Sequence, residues 1–315
     1  DPARLQPYLG RLAGSKGGAF TALNSALFTD GAVILLPRGT ALERPLHLLF
    51  INSYAAGETA VAQTRVLIVA ERGSSASIVE EHAGVGTGYL SGAVAELYVE
   101  DDASIGLTRL QRESPAAWSF SALHARLGRA SRLTVRSAAL GAEIARDEIE
   151  VTLEGEGAQC RLDGLYLVDG RRHSDHWTRI VHAAPHGTSD ALYKGVLDGH
   201  ARAVFNGTVE VAPGASQTDG KLYNKNLLLS EDGLVNTKPE FKIFNNDVQC
   251  KHGATIGQLS ADALFYLRSR GIGADEARSL LVYAFASEMI GREPIEALRE
   301  ALSDGVRGWL DGGAR

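Results

Sequence analysis

Cys250, Lys251 and His252 stand together near the end of a long series of short apolar runs. Side chains alternate faces along a strand, so the Cys250 thiol and the His252 imidazole project to the same side, about 6.6 Å apart at Cα. A soft thiolate beside a borderline imidazole suits iron or zinc. One ion wants about four ligands, so two or more must come from elsewhere. Taken singly, Cys250 reads as a small buried hydrophobe and His252 as a structural histidine; their spacing is what raises the metal reading. Positive charge from Lys251 and His252 favours the thiolate, although Lys251 itself points to the other face.

Three other groups of residues invite chemistry and carry less of it. His173, His176, His182, His186 and His200 crowd the middle of the chain, but strand geometry puts His173 and His176 on opposite faces. His176 and His182 share a face about 20 Å apart, too far for one ion without a bend. These histidines therefore read as surface or satisfied interior groups. Gly84-Val85-Gly86-Thr87-Gly88 lacks the Lys-Ser/Thr of a phosphate loop and is followed by strand-like residues rather than a helix, so it reads as a turn, and no ATP is expected on this chain. Asp147, Glu148, Glu150, Asp163 and Asp175 could serve a carbohydrate-active lyase or hydrolase, which is the alternative reading. Such an enzyme would be secreted and would line its groove with aromatics, whereas aromatic content in this chain is 7%.

The elements that must position these groups are mostly strands. Residues 1–30 form an N-terminal helical segment, with helix-like pieces at Ala3–Ala13 and Ala19–Leu27, broken by Gly14-Ser15-Lys16-Gly17-Gly18 and packed as a lid. From 31 to 258 short apolar runs recur between turn residues: Val33–Leu36, Leu46–Ile51, Val66–Ala70, Ala93–Val99, Ile105–Leu110, Leu133–Leu140, Glu148–Leu153 and Leu162–Val168. In Ser131–Ser137 the pattern alternates, Leu133 and Val135 on one face and Arg132, Thr134 and Arg136 on the other. More than two hundred residues without a long helix is large for one sandwich, but no strict short repeat is visible, so pattern alone leaves a β-solenoid and its rivals open.

At Ser260 the period becomes helical, opening a C-terminal helical subdomain over 259–315. Ser260 is a good N-cap, Asp262 suits the first turn, and Gly271 is a stop. A second helix aligns Ala277, Leu280, Leu281, Ala284, Phe285 and Met289, a stripe more apolar than a small helical pair needs, so part of it is expected to pack on a partner. A third, opening near Pro294, aligns Ile295, Leu298, Leu302 and Leu310.

The 315 residues, 44% of them hydrophobic, can bury a sizeable core. A net charge of −6 and no concentrated Lys/Arg patch argue against nucleic acid. No apolar run reaches a membrane span and no signal peptide opens the chain, and two cysteines suit free thiols in a reducing compartment, so a cytoplasmic location is expected. Asp1 in place of Met points to a processed or trimmed N-terminus.

Six segments in order, YKGVLDG (193–199), AVFNG (203–207), NKNLLLS (224–230), TKPEF (237–241), CKHGATIGQL (250–259) and LFYLRSRGI (264–272), resemble the SufD branch of the SufB/SufD family, scaffold subunits of the SufBCD iron-sulfur cluster assembly complex. The resemblance is dense from Arg171 to Ile295 and diffuse upstream. It implies a right-handed parallel β-helix with a longer N-terminal helical region than this chain carries. It also implies a non-enzymatic scaffold that pairs with a SufB-like subunit and docks its terminal helices on a SufC-like ABC ATPase; a self-associating homodimer used as a binding module is a further alternative. Cys250 and His252 would then contribute to a cluster-assembly site, holding iron or a nascent iron-sulfur cluster transiently and sharing it with the partner.

Overall fold

The computed structural model describes residues 2–14, 18–54, 60–86 and 88–312. The expected break at Ser15–Gly17, and Thr87 of the glycine-rich turn, lie outside them. Among the described residues the strands are β1 (Asp30–Leu36), β2 (Leu46–Ser53), β3 (Ala60–Ala70), β4 (Ser75–Val85), β5 (Tyr89–Val99), β6 (Ser104–Arg112), β7 (Trp118–Leu127), β8 (Arg132–Ala139), β9 (Ile144–Leu153), β10 (Gln159–Val168), β11 (His173–His182), β12 (Thr188–Leu197), β13 (Arg202–Val211), β14 (Thr218–Leu228), β15 (Leu234–Ile243) and β16 (Val248–Gln258). The helices are α1 (Pro2–Leu5), α2 (Gly18–Leu27), α3 (Ala261–Ser269), α4 (Ala274–Ile290) and α5 (Glu296–Gly312).

Odd-numbered strands form one eight-stranded sheet and even-numbered strands another, each in chain order. Every pairing within them is parallel. The chain therefore winds as a parallel β-solenoid, alternating between sheets. Gln159 pairs with Thr188, 29 residues on, and Thr188 with Asp219, 31 residues on. Alternation turns one face of each strand inward: Leu133 and Val135 lie inside, as their pattern predicts, with Leu107, Leu123, Ile149, Val151, Leu162 and Ile180 in the same core.

Close packing shapes this interior as strongly as hydrophobicity. Tyr166 and Tyr193 are fully buried on neighbouring rungs, and each ring fills the place of a missing side chain. A Cβ on Gly164 would lie 2.2 Å from the Tyr193 ring, and one on Gly195 2.0 Å from the Tyr166 ring. Tyr166 donates to Asn226, Asn224 donates to the Tyr166 hydroxyl at 3.1 Å, and Asn226 donates to Asn224 at 2.6 Å. A fully buried side chain of this size contributes about 1.5–3 kcal/mol.

The outer face of the even sheet is covered by α4 and α5. Val282, Ala286, Met289, Ile290, Leu302 and Val306 pack on Leu110, Ala138, Leu165, Leu167, Leu192, Val196 and Leu227. Polar clamps hold the helices in register: buried Lys194 reaches Glu288 at 2.8 Å and the Phe285 carbonyl at 2.6 Å, Arg292 reaches Asp163 at 2.5 Å, and Arg278 reaches Asp198 at 3.0 Å. The helices thus lie along the side of the solenoid rather than on its end. Ser260 caps α3 by accepting from the Ala263 amide at 3.2 Å, and Gly271 turns the chain at φ 88°.

The N-terminal segment departs from expectation. α1 stops at Leu5 instead of running to Ala13, because Pro7 disfavours helix at the residue before it and Gly10 sits at φ 76°. Its amides go instead to the buried carboxylate of Glu96, which accepts from Gly10 (2.7 Å), Leu12 (2.9 Å) and Ala13 (3.2 Å) while pairing with Arg65 at 2.7 Å. Burial opposes ionisation of Glu96, but these amides and the guanidinium outweigh it and hold the carboxyl below its usual range. Residues 2–14 and α2 therefore lie against the outer face of the odd sheet, with Asn24 donating to Gln63 at 3.0 Å and Phe20 stacked on Phe120 at 3.6 Å. They do not close an end as a lid.

Gly195→Ala should lower unfolding free energy by about 1–3 kcal/mol through overpacking against Tyr166, whereas Gly257→Ala, with nothing within 4 Å, should leave it unchanged. Urea denaturation of the two variants measures the difference, and equal stabilities would contradict close contact between Tyr166 and Gly195.

Candidate functional site

Cys250 and His252 lie on β16, the edge strand of the even sheet, and β15 is the edge of the odd sheet. The last coil therefore has nothing stacked on it among the described residues. Cys250 pairs in register with Gly220, and His252 with Leu222, an interior residue, so both side chains take the inward face. Cys250 is half-buried against the core, and a Cβ on Gly220 would lie 3.5 Å from its Sγ. His252 is exposed at the open end and stacks on Phe241 of β15, ring centroids 4.9 Å apart and 25° between planes. Lys251 is exposed on the opposite face.

Burial pushes the Cys250 thiol up from its ordinary value, the nearby Asp219 carboxylate pushes in the same direction, and the Gly220 amide only partly offsets them. The expected help from Lys251 and His252 toward the thiolate is therefore overturned: the strand aims Lys251 away and burial dominates. Cys160, the other free cysteine, is 4% exposed inside the solenoid, and burial alone raises its pKa. Among the described residues no group of three or more His, Cys, Asp or Glu side chains is arranged to hold a metal ion. Cys250 and His252 thus place a thiol and an imidazole at the open end, with no third such group arranged around them among the described residues.

Around this pair the end coil exposes Leu234 (46%), Ile243 (42%), Phe244 (61%) and Ile256 (48%). Phe265 (74%) and Tyr266 (57%) on α3 and Leu280 (45%) on α4 form further exposed apolar positions. The α4 stripe expected to face a partner divides. Ala277 is buried and Phe285 is partly buried against Lys194, whose Nζ lies 4.0 Å from the ring centroid, while Leu280 and Ala284 are exposed and Leu281 is half-buried. The face turned to the solenoid is Val282, Ala286, Met289 and Ile290.

The remaining candidates resolve into structure. His176 and His182 are both interior, bonded to Ser174 at 3.0 Å and Ser189 at 2.9 Å, and burial holds His182 down at about 4. His173 takes the alternate face of the same strand. His186 and His200 lie at turns, 3.7 Å from Glu156 and 3.6 Å from Asp232. Gly86 and Gly88 join β4 directly to β5, with no helix to offer amides. The acidic candidates are all in ion pairs: Asp147 with Arg109, Glu148 and Asp175 with Arg146, Glu150 with Arg179, and Asp163 with Arg292. Each of these carboxylates is thus matched by a guanidinium, Glu148 and Asp175 by the same one, which lends the carbohydrate-enzyme reading no support.

Sequence reasoning missed Glu96, Arg109 and Lys194 as organisers. Each is a charge flanked within its strand by uncharged residues, Ala95-Glu96-Leu97, Thr108-Arg109-Leu110 and Tyr193-Lys194-Gly195. Such a charge is rarely buried unless paired, and that signal could have found them.

Comparison with known proteins places these residues in context. The SufBD core domain model, described as SUF system FeS cluster assembly, matches residues 51–285, and the SufBD protein N-terminal region matches residues 1–48. An iron-sulfur cluster assembly SufBD family protein of Synechocystis is 35% identical over 95% of this chain and 68% of its own length. The iron-sulfur cluster assembly protein SufD of Escherichia coli is 31% identical over 94% of this chain and 70% of its own. A SufBD family protein of Mycobacterium tuberculosis is 30% identical over 93% of this chain and 73% of its own. The chain thus spans about two thirds to three quarters of the length of these relatives.

Alkylation should separate the two thiols. In the native protein Cys250 alone should react with iodoacetamide, with a rate that is still climbing at pH 9, because burial and Asp219 push its thiol above the ordinary value of 9.0. Cys160 should react only after unfolding. A Cys250 rate that plateaus below pH 8 would show a stabilised thiolate and contradict the dominance of burial and Asp219 over its titration.

Proposed function

The chain belongs to the SufBD family of iron-sulfur cluster assembly proteins, and we propose that it serves as a SufD-like, non-catalytic scaffold in the cytoplasm. The open coil formed by β15 and β16 docks a SufB-like subunit, and in its absence a second copy of the chain. Exposed positions on α3 and α4 dock a SufC-like ABC ATPase, which supplies the nucleotide site. Iron or a nascent iron-sulfur cluster is cargo, held transiently between Cys250, His252 and donors of the partner.

The observation that carries this reading is the placement of a thiol and an imidazole on the inward face of an unpaired end coil ringed by exposed apolar side chains. A parallel strand edge offers a row of free amides and carbonyls, the surface that strand addition uses. Two donors alone cannot saturate an iron ion, so the site is completed only by a partner brought to that edge.

Cluster content tests the site. In a co-expressed complex, Cys250→Ala and His252→Ala, introduced separately, should each leave assembly intact and lower iron and sulfide per complex; normal content in both would make the residues structural.

The helical surface is tested by point variants, since deleting 260–315 would strip the cover from Leu165, Leu167 and Leu192. Phe265→Asp and Leu280→Asp together should weaken ATPase binding about 30-fold, the scale of an interface hot spot, with the β-rich circular dichroism unchanged. Unchanged affinity would move the docking surface elsewhere.

A further inference from the structure

Inside the solenoid, between rungs β4–β8 of one sheet and β5–β11 of the other, lies a chamber of about 40 Å³ whose walls are mostly apolar and are interrupted by a few buried polar side chains. His82, Arg109, Gln111, Ser121, Asp147 and His176 are among its lining residues. Three charges meet at it. Arg109 is 6% exposed and donates to Asp147 at 2.7 Å and, at a long 3.4 Å, to Glu80, which is 1% exposed. Ser121 also donates to Asp147 at 2.7 Å, and His82 bonds Glu80 at 2.9 Å. Burial opposes ionisation of Glu80, but Arg109 and His82 outweigh it and hold the carboxyl at about 2.

Unsatisfied polar atoms gather at this chamber. Arg109 Nε, Gln111 Nε2, Ser137 Oγ and His176 Nδ1 line it, and Glu80 Oε2 belongs to the same charge cluster; none has a partner in the protein. Ser137 is 9% and His176 2% exposed, so bulk solvent does not serve them. A buried group in this condition costs as much as a lost hydrogen bond or more, and natural interiors rarely tolerate several together.

The chemistry of the lining selects the guest. Arg109 is already paired with Asp147 and Glu80, and Arg146 with Glu148 and Asp175, which disfavours an anion, and no metal-holding group exists among the described residues. Donors (Arg109 Nε, Gln111 Nε2) and a hydroxyl that also accepts (Ser137 Oγ) must be met within a volume that suits about three water molecules. Only a molecule that donates and accepts from one heavy atom meets them all.

We propose that this chamber is a built water site, a cluster of about three molecules that completes the hydrogen bonds of Arg109, Gln111, Ser137 and His176 inside the solenoid. Tyr166, filling the volume of Gly195, and Tyr193, filling that of Gly164, stand on β10 and β12, between the chamber's β8 rung and the open coil. The water is therefore separate from Cys250 and His252.

The test is a crystal structure of the unmodified protein at a resolution that shows buried solvent, with magnetic relaxation dispersion counting long-lived waters in solution. Discrete water density within bonding distance of Arg109 Nε and Ser137 Oγ is expected. In Ser137→Val the added methyl groups should displace at least one such water and lower the long-lived count correspondingly. A dry chamber beside other well-defined buried waters, density for a larger molecule, or an unchanged count in a folded Ser137→Val protein would each overturn the proposal. Should Ser137→Val fail to fold, the unmodified structure decides alone.

Discussion

Every rung of this protein hydrogen-bonds to the rung before and the rung after, and that stacking constrains everything else. Because pairing runs in continuous register across both sheets, a residue's neighbours are the residues about 30 positions away in each direction, not those adjacent in sequence. Volume must then be shared along columns. Tyr166 fits only because Gly195 stands above it, and Tyr193 only because Gly164 stands below. The same stacking leaves edges at both ends that it cannot satisfy from within, and at the C-terminal end these are β15 and β16. On β15 the edge carries Lys238, Pro239 and Lys242, residues that discourage indiscriminate strand addition. On β16 it carries Cys250, His252 and the exposed Ile256. One half of the last coil thus carries residues that discourage chance pairing, and the other carries the thiol and imidazole on which the proposed docking rests.

The flanking layers follow from the faces left over. The even sheet is apolar outward as well as inward, since Leu165 and Leu167 alternate with Leu162 and Tyr166 on one strand. Such a strand needs cover on both sides. α4 and α5 supply it, and Lys194, Arg278 and Arg292 fix where they sit. The odd sheet has a different solution. Near its start Glu96 gathers the N-terminal segment, and toward its end the outer face is laced with rung-to-rung pairs such as Arg179 with Glu150 and Glu210, which tolerate water and need no helix over them.

That two-sided environment explains which features the sequence made legible. The strand runs, the change to helix at Ser260 and the cap and stop of α3 rest on local chemistry, and they could be seen in the residues themselves. The buried face of α4 could not. Leu280, Leu281, Val282, Tyr283, Ala284, Phe285 and Ala286 are consecutive, so periodicity leaves the phase of the helix undetermined and the even sheet chooses it. α1 is shorter than the apolar spacing past Pro7 implies, because the amides beyond it are claimed by a carboxylate some 83 to 86 residues away. The Cys-x-His pair was legible as a shared face, since alternation is local. The state of its thiol was not, because Asp219 and the burial that raise its pKa come from the neighbouring rung.

That thiol sets a condition on the proposed site. A partner docking on β16 removes Cys250 further from water, and burial alone drives its pKa higher, away from the thiolate that a cluster requires. Docking and deprotonation therefore oppose each other unless docking brings positive charge. A bound metal ion is the strongest such charge and deprotonates a coordinating thiol outright. A protonated His252 or a basic side chain of the partner acts in the same direction with less force. On the scaffold reading, the assembled edge is consequently poorly disposed toward a free thiolate and well disposed toward a metallated one. Proton loss from Cys250 is coupled to arrival of the metal, and affinity for the cargo rises with pH because each binding event must release that proton.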